Sequence, residues 1–440
     1  MAKKYDVIVV GAGPAGFLAA KAAGENGLEV ALLERKPDIT QLTRACGQTL
    51  VSMNEYYLGD LVGYNARNKR IFFPVNGFSF KYDGPYKNIY GMYMYTPNGH
   101  KIEIGDLKEQ RKKEDYGRIG LVFDKKVLFR CLLKEVKDCS VDVFPGINVE
   151  NVTATAEGVR VEGSGQSFEG AYLIAADGCN SSVAHVMGFN NDRNYYCNIR
   201  FTSYYMSGVE PPESNIVIYM HVFLKEGGAT CYILPQATNG VFNVIVLSVN
   251  PRIDLEAARN YLMKEAFCAF WFKNAKILRT FSANEDCYTP IVEPFKDRVL
   301  VAGDVGSTQE LEITGAMISG WKAGQAVSTA IQEGNLGLEI TGFSQYSEWW
   351  KKAYINYYDW EAYIKGYATS YILTTAEDIN YVFGLIKETL PASWHPYTLA
   401  DHIGQALRKV APIIQQEKPE VFQKLQRKSL PASQIFAEIT

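Results

Sequence analysis

Apolar residues along the chain follow three different spacings, and each predicts a different architecture. Val7-Ile8-Val9-Val10 is a short β-branched run, the pattern of a strand buried on both faces. Phe17 to Gly24 is Ala-rich and reads as a helix, and Leu28 to Leu33 reads as a second strand ending at Glu34. Strand patterns recur at 171–176 and 297–302, each ending in a polar turn. Between them, Arg70 to Tyr95 and Tyr195 to Val249 alternate apolar and polar residues. Breakers such as Pro97-Asn98-Gly99 and Gly227-Gly228 punctuate them, which predicts inserted antiparallel strands forming one sheet. Gly163-Ser164-Gly165 predicts a hairpin turn between Val159-Arg160-Val161 and the strand containing Tyr172. From Thr341 the spacing becomes helical: Phe343, Tyr346, Trp350, Tyr354 and Tyr357 recur at steps of three and four. Trp349, Tyr358, Trp360, Tyr363, Tyr367 and Tyr371 thicken that face, and Pro412, Pro419 and Pro431 break the tail into short amphipathic helices.

The first thirty-five residues carry chemistry. Gly11-Ala12-Gly13-Pro14-Ala15-Gly16 lies between a strand and a helix, and Glu34 follows the last glycine by eighteen positions. A G-x-G-x-x-G string in that setting is the dinucleotide fingerprint. Gly11 permits a tight turn, Gly13 lets the backbone approach a pyrophosphate, and Gly16 lets the helix pack on the strand. Pro14 and Ala15 open the helix, whose free N–H groups face the anion. Glu34 can accept hydrogen bonds from a ribose diol, with Arg35 beside it.

Two later segments narrow the cofactor. Ala171 to Ser182 is a strand ending in Asp177-Gly178, and Asp297 to Asp304 is a strand ending in Gly303-Asp304. Gly315-Ala316-Met317 then opens a helix pattern. With the N-terminal fingerprint, this trio resembles the flavoprotein superfamily built on the para-hydroxybenzoate hydroxylase fold. The resemblance implies an α/β chain with a Rossmann-like FAD-binding domain at 1–70, 115–190 and 288–340. An inserted antiparallel β-sheet substrate domain would occupy 71–114 and 191–287, with a C-terminal helical region at 341–440. It also implies FAD as cofactor, with Glu34 on the adenosine ribose and Asp304 on the ribitol and pyrophosphate. The helix from Gly315 would aim its N-terminal N–H groups at the flavin pyrimidine, where negative charge develops on reduction. Lys125 stands where the family often contacts FAD with Arg or Gln; a solvated surface lysine is the plainer alternative. The strand from Ile147 to Val152, with Val149, would meet the adenine through its backbone. No second fingerprint for a nicotinamide nucleotide follows.

Arg44-Ala45-Cys46-Gly47-Gln48 lies just beyond the second strand. A Cys-Gly pair there resembles the geranylgeranyl reductases, FAD-dependent enzymes that saturate isoprenoid double bonds. A thiol beside a reduced flavin can donate a proton while N5 donates hydride; a small buried hydrophobe is the alternative for Cys46. Arg44 can pair with a flavin phosphate or with a carboxylate. Two departures bear on the substrate. The family's Y-x-W-x-F-P strand reads Thr230-Cys231-Tyr232-Ile233-Leu234-Pro235, and the loop Val305 to Thr314 lacks the family's proline and is more acidic. Glu310 or Glu312 can act as general acids there, or form a solvated loop pair.

Composition sharpens this picture at its edges. A 440-residue chain with 47% hydrophobic and 21% charged residues has room for two or three units and a sizeable core. With 45 Lys and Arg against 48 Asp and Glu, phosphate-backbone neutralisation is not its business, so nucleic acid is excluded as a partner. No run of about 18 uninterrupted apolar residues, as a bilayer span needs, exists; the best stretch, Val241 to Val249, already contains Asn243 and Ser248. Eight cysteines form no C-x-x-C pair, and His395 and His402 lack ligand company, so no metal site is expected and both histidines read as structural. The expectation is a cytoplasmic protein, or one peripheral to a membrane. Aromatics are 13%, with 28 Tyr and 22 Phe, concentrated outside the cofactor segments. That excess fits sheet and helix packing, a tunnel for an apolar substrate, or an interfacial face. The leading expectation is an FAD-dependent oxidoreductase that reduces or dehydrogenates a carbon–carbon bond of a small apolar, isoprenoid- or lipid-like substrate. Its electrons would come from NAD(P)H or a redox protein. The alternatives are an oxygen-using aromatic hydroxylase on the same fold and a flavoprotein electron carrier.

Overall fold

The computed structural model describes residues 3–439. Its first sheet grows from the strand Lys4–Val10, which pairs in parallel with Val30–Glu34 on one side and Gln166–Ala175 on the other. Asp142–Pro145 and Val299–Val301 extend the parallel part. Val159–Gly163 joins Gln166–Ala175 through a tight hairpin at Ser164-Gly165, as the Gly-Ser-Gly turn predicts. Val7 and Val9 enter one hydrophobic cluster and Ile8 and Val10 another. Both faces are covered, which is why the run carries no polar alternation.

The helices Pro14–Glu25 and Glu312–Asn335 lie against each other on one face of this sheet. A Cβ on Gly320 would stand 2.1 Å from the carbonyl oxygen of Ala15, so only glycine permits that approach. The helix Lys125–Asp138 joins them through Leu128, Phe129, Leu132 and Val136. The helix expected from Gly315 begins at Glu312, whose φ of +55° is left-handed.

A second, seven-stranded sheet has the order Lys276–Tyr288, Tyr195–Ser207, Val241–Ser248, Gly227–Pro235, Ile216–Leu224, Gly91–Tyr95, Lys101–Ile104. One face packs on the helix Leu255–Lys264 and the turn Ala269–Phe272. The sequence predicts antiparallel pairing throughout, but Gly91–Tyr95 and Ile216–Leu224 run parallel. The chain between them traverses the cofactor sheet, and a long crossover is what a parallel pair requires. A second correction concerns Arg70–Phe73 and Phe78–Lys81, expected in the same sheet as Tyr95. They form a separate three-stranded sheet with Gly63–Asn65. Phe73, Phe78 and Phe80 belong to the cluster containing Trp321, and Phe78 stacks on Trp321 at 4.5 Å. This stretch therefore packs with the cofactor-binding core. Alternation alone gives strand identity but not the partner.

The C-terminal aromatics divide. Phe343, Tyr346, Trp350 and Tyr354 are buried in the cofactor-domain core. Tyr346 donates to the carbonyl of Val301 at 2.9 Å and Trp350 Nε1 to that of Ile291 at 2.7 Å. Tyr357, expected on the same face, is 71% exposed. The helix Gly342–Trp350 widens into a π-turn at Lys351–Ile355, closed by Asn356 N to Lys351 O at 2.8 Å, which rotates the next residue off the stripe. Asp359 then caps a new helix, Trp360–Gly366. Farther on, the long helix Pro396–Glu417 and the shorter Pro419–Gln426 close over the free face of the seven-stranded sheet.

Candidate active site

A cleft opens where the fingerprint turn, the start of the Glu312–Asn335 helix and the loop after Val30–Glu34 converge. Gly11, at φ +98°, makes the turn, and Gly13, Pro14 and Ala15 line the cleft after it. No side chain caps the helix Pro14–Glu25, and a Cβ on Gly13 would meet nothing within 4 Å. The turn thus offers bare backbone N–H groups and room for an anion. Glu34 is buried at the rim, accepting from Ala12 N at 2.7 Å and Lys36 N at 2.9 Å, and Arg35 lines the cleft beside it. Those bonds lock the carboxylate in place and leave lone pairs for a diol. Asp177 also lines the cleft, but its carboxylate is engaged by Ser181 at 2.6 Å and by the backbone of Val183 at 3.3 Å. Asp304 accepts from Leu311 N at 2.9 Å, fixing the loop that leads into the flavin-side helix. Burial, and then the charge of Glu310, push Asp304 up to about 7.

Ala316 lines the cleft, whereas Gly16, Val149, Gly303, Gly315 and Met317 stand behind its walls. A Cβ on Gly16 would lie 1.7 Å from the oxygen of Gly11, so that glycine serves helix packing. Gly303 fits against Ala15, Gly315 against Tyr57, and Met317 is fully buried. Val149 packs near Val183, its carbonyl facing Ser182. Arg44 lines the cleft with its guanidinium committed to carboxylates, Glu285 and, at 3.0 Å, Glu310.

Beside the cleft lies a cavity of about 670 Å³. Its floor is the free face of the seven-stranded sheet, where alternate residues Thr230, Tyr232 and Leu234 point inward. Its roof is the C-terminal helices, through residues such as Leu399, Ile403 and Leu407. Cleft and cavity share a wall made by Ala45, Cys46, Gly47, Thr49, Glu310 and Glu312. Cys46 is therefore at the junction, and Lys125 Nζ donates to its Sγ at 3.2 Å. The lysine is neither a bare surface residue nor remote from the cleft. The Cys46 carbonyl accepts from Tyr205 at 3.1 Å and Asn243 at 3.0 Å. Gln48, at φ +58°, ties Tyr205, Gln236 and the backbone of Lys125 together. Tyr363 and Tyr367 also line the cavity and both donate to Gln309.

Sequence reasoning missed Gln48, Tyr205 and Asn243. The available signal was a polar residue inside an apolar strand run, and Asn243 interrupts Val241–Ser248 in that way. Glu310 and Glu312 both line the wall between cleft and cavity, and Glu310 pairs with Arg44. Burial, the charge of Glu310 and that of Asp304 push Glu312 up to about 8. His395 is structural, as expected: fully buried, it caps the Pro396–Glu417 helix through Nδ1, and burial lowers it to about 3. No cluster of His, Cys, Asp or Glu suited to a metal occurs among the described residues, and no helix there is long and apolar enough to cross a membrane.

The bare helix N-terminus, the open space at Gly13 and the locked Glu34 fit a dinucleotide, and comparisons with known proteins agree. Residues 4–305 match the family described as FAD binding domain. A digeranylgeranylglycerophospholipid reductase of Methanosarcina acetivorans is 25% identical over 418 residues, covering 92% of this chain and 94% of that one. Among solved structures, a geranylgeranyl bacteriochlorophyll reductase-like protein from Thermoplasma acidophilum superposes with a TM-score of 0.67 at 16% identity, covering 97% and 99% of the two chains. A variant of the halogenase PltM in complex with FAD gives 0.60 at 13% identity, covering 99% of this chain and 95% of that one, a likeness of fold. The chain belongs to the FAD binding domain family and is an FAD-dependent oxidoreductase similar to the geranylgeranyl reductases.

Proposed function

We propose that the protein saturates carbon–carbon double bonds of an isoprenoid chain that carries an anionic head. The observation that carries this reading is the shared wall: a large apolar cavity meets the cofactor cleft at Cys46, Glu310 and Glu312. Bound FAD, once reduced by NAD(P)H or a redox protein, supplies hydride from N5. The chain's residues do the rest. The bare helix N-terminus, Glu34 and Asp304 hold the cofactor, and the sheet face and helical roof hold an apolar chain away from water. Tyr205 and Asn243 fix the backbone of Cys46, so the junction keeps its geometry as substrate enters.

Two lysines, Lys365 and Lys428, line the cavity at the opposite end of the sheet, where the head would sit. Thr230 lies four residues before Leu234 on one strand, about 13 Å away at the usual rise. There Lys428 Nζ has the Thr369 hydroxyl at 3.2 Å and no carboxylate partner among the described residues. Lys365 rests on the carbonyls of Lys428 and Leu430, with Glu361 at 3.6 Å. Burial, then the charge of Lys365, lower Lys428 to about 8, a cost that a phosphate would offset.

The test is anaerobic photoreduction of the FAD-loaded protein, followed by mixing with geranylgeranyl lipids. Flavin reoxidation with a product heavier by two hydrogens per bond is the expected result. No reoxidation by any prenyl lipid would overturn the reading. Oxygen-dependent NAD(P)H consumption stimulated by phenols would support a hydroxylase instead.

A further inference from the structure

Resting on that reading, we infer that Glu312 is the proton donor to the substrate, acting from the wall that the cofactor cleft and the apolar cavity share. Glu312 is the first residue of the helix Glu312–Asn335 and holds a left-handed φ of +55°. A left-handed φ is uncommon for a residue other than glycine, and Glu312 stands on the wall common to the cleft and the cavity. The position also departs from the resemblance that the rest of the cofactor segments follow, because the loop from Val305 to Thr314 lacks a proline and is acidic.

The surroundings separate the three carboxyl groups. Glu310 has Arg44 at 3.0 Å, and Asp304 accepts a backbone N–H from Leu311. Glu312 has neither a hydrogen bond nor an ion pair among the described residues. Facing it are Glu310 and Asp304 from the loop, Lys125 from the Lys125–Asp138 helix, Tyr57, Tyr232 from the sheet floor, and Tyr363 and Tyr367 from the roof. Burial and the two neighbouring carboxylates outweigh Lys125, so this carboxyl is pushed up to about 8 and holds its proton at neutral pH. Cys46, the other group on the wall, accepts a hydrogen bond from the Lys125 ammonium.

The balance of the step is complete. The π pair of one double bond breaks. Hydride from the reduced flavin forms one C–H bond, and the proton from the Glu312 carboxyl forms the other. The flavin is oxidised by two electrons, the alkene is reduced by two, and Glu312 is left as a carboxylate that regains its proton from water.

Infrared titration of the protein, with and without FAD, tests the protonation directly. A protonated carboxyl band lost near pH 8, and absent in Glu312→Gln, is expected; a Glu312 already ionised at pH 7 in both forms would overturn the role. In stopped-flow reoxidation of the prereduced protein by a geranylgeranyl lipid, Glu312→Gln should slow the step by about 100-fold or more. It should also abolish the fall in rate above pH 8, with FAD affinity kept within about twofold; Glu312→Asp should recover part of the rate. Wild-type rates in Glu312→Gln, or the same loss in Cys46→Ala with none in Glu312→Gln, would overturn it. A wild type that no alkene reoxidises would instead overturn the reduction itself. Glu312→Asp and the infrared titration remain decisive should Glu312→Gln bind FAD poorly.

Discussion

The cofactor cleft is built around the bare backbone of the turn from Gly11 to Ala15, with residues 34–36, 41–49, 176–178 and 304–316 closing around it. The adjoining cavity is walled by side chains from a sheet near residue 230 and helices near residue 400. A backbone site depends on a few positions where any side chain intrudes. A side-chain site spreads its lining over many residues, so single changes there reshape specificity more than they destroy binding. The two regions should therefore respond to substitution in opposite ways, although they meet at Cys46.

The largest effect is expected at Gly13→Val. Its Cβ meets nothing in the protein, so the fold should survive, but the side chain would occupy the approach to the pyrophosphate. FAD affinity should fall by about 100-fold, on the order of 3 kcal/mol, with the melting temperature of the FAD-free protein nearly unchanged. Fluorescence titration and thermal melts read both quantities. A normal affinity would mean the cleft does not hold the cofactor through this turn.

The contrast also explains what could be read beforehand. The fingerprint turn, the Asp177-Gly178 strand end, Asp304 and Glu34 are each part of a local sequence signal, and the structure brings them to one cleft. The cavity is non-local. Nothing in the strand Gly227–Pro235 indicates that Leu234 lines one cavity with Ile403, because their association is set by packing between distant segments. The aromatic excess shows the same limit. Helical spacing put Phe343 to Tyr357 on one face, yet a π-turn ends that face at Tyr354. The first half of the segment proved to be core, while Tyr363 and Tyr367 reach the cavity. Periodicity reports that a face is apolar, not what covers it.

Filling the cavity from its roof should leave the cleft untouched. Ile403→Trp would occupy volume used by the chain, raising KM for a geranylgeranyl lipid about tenfold, roughly 1.4 kcal/mol, at unchanged FAD affinity. Equal losses of FAD and substrate would mean the two spaces are not separable. At the far end, Lys428→Gln should raise KM several-fold for a prenyl phosphate and leave a neutral prenyl alcohol unaffected. The pH dependence has a definite sign. Lys428 is charged below about 8 and neutral above it, so wild-type affinity for the phosphate should decline as pH rises through 8. In Lys428→Gln that decline should vanish, as steady-state profiles on both substrates would show.

The smallest effect is expected at Tyr367→Phe, and it separates packing from function within the aromatic segment. The lost hydroxyl bonds to Tyr363 at 3.0 Å and to Gln309 at 3.2 Å. Gln309 would still be held by Tyr363 at 3.0 Å and would still donate to Glu285. The cost to stability should be about 1 kcal/mol or less, the net worth of one replaceable hydrogen bond. Because the ring remains, the cavity keeps its shape, and turnover with a geranylgeranyl lipid should change less than threefold. A much larger fall in turnover at intact stability would make the Tyr367 hydroxyl part of the proton path to Glu312, moving the boundary between packing and chemistry one residue into the roof.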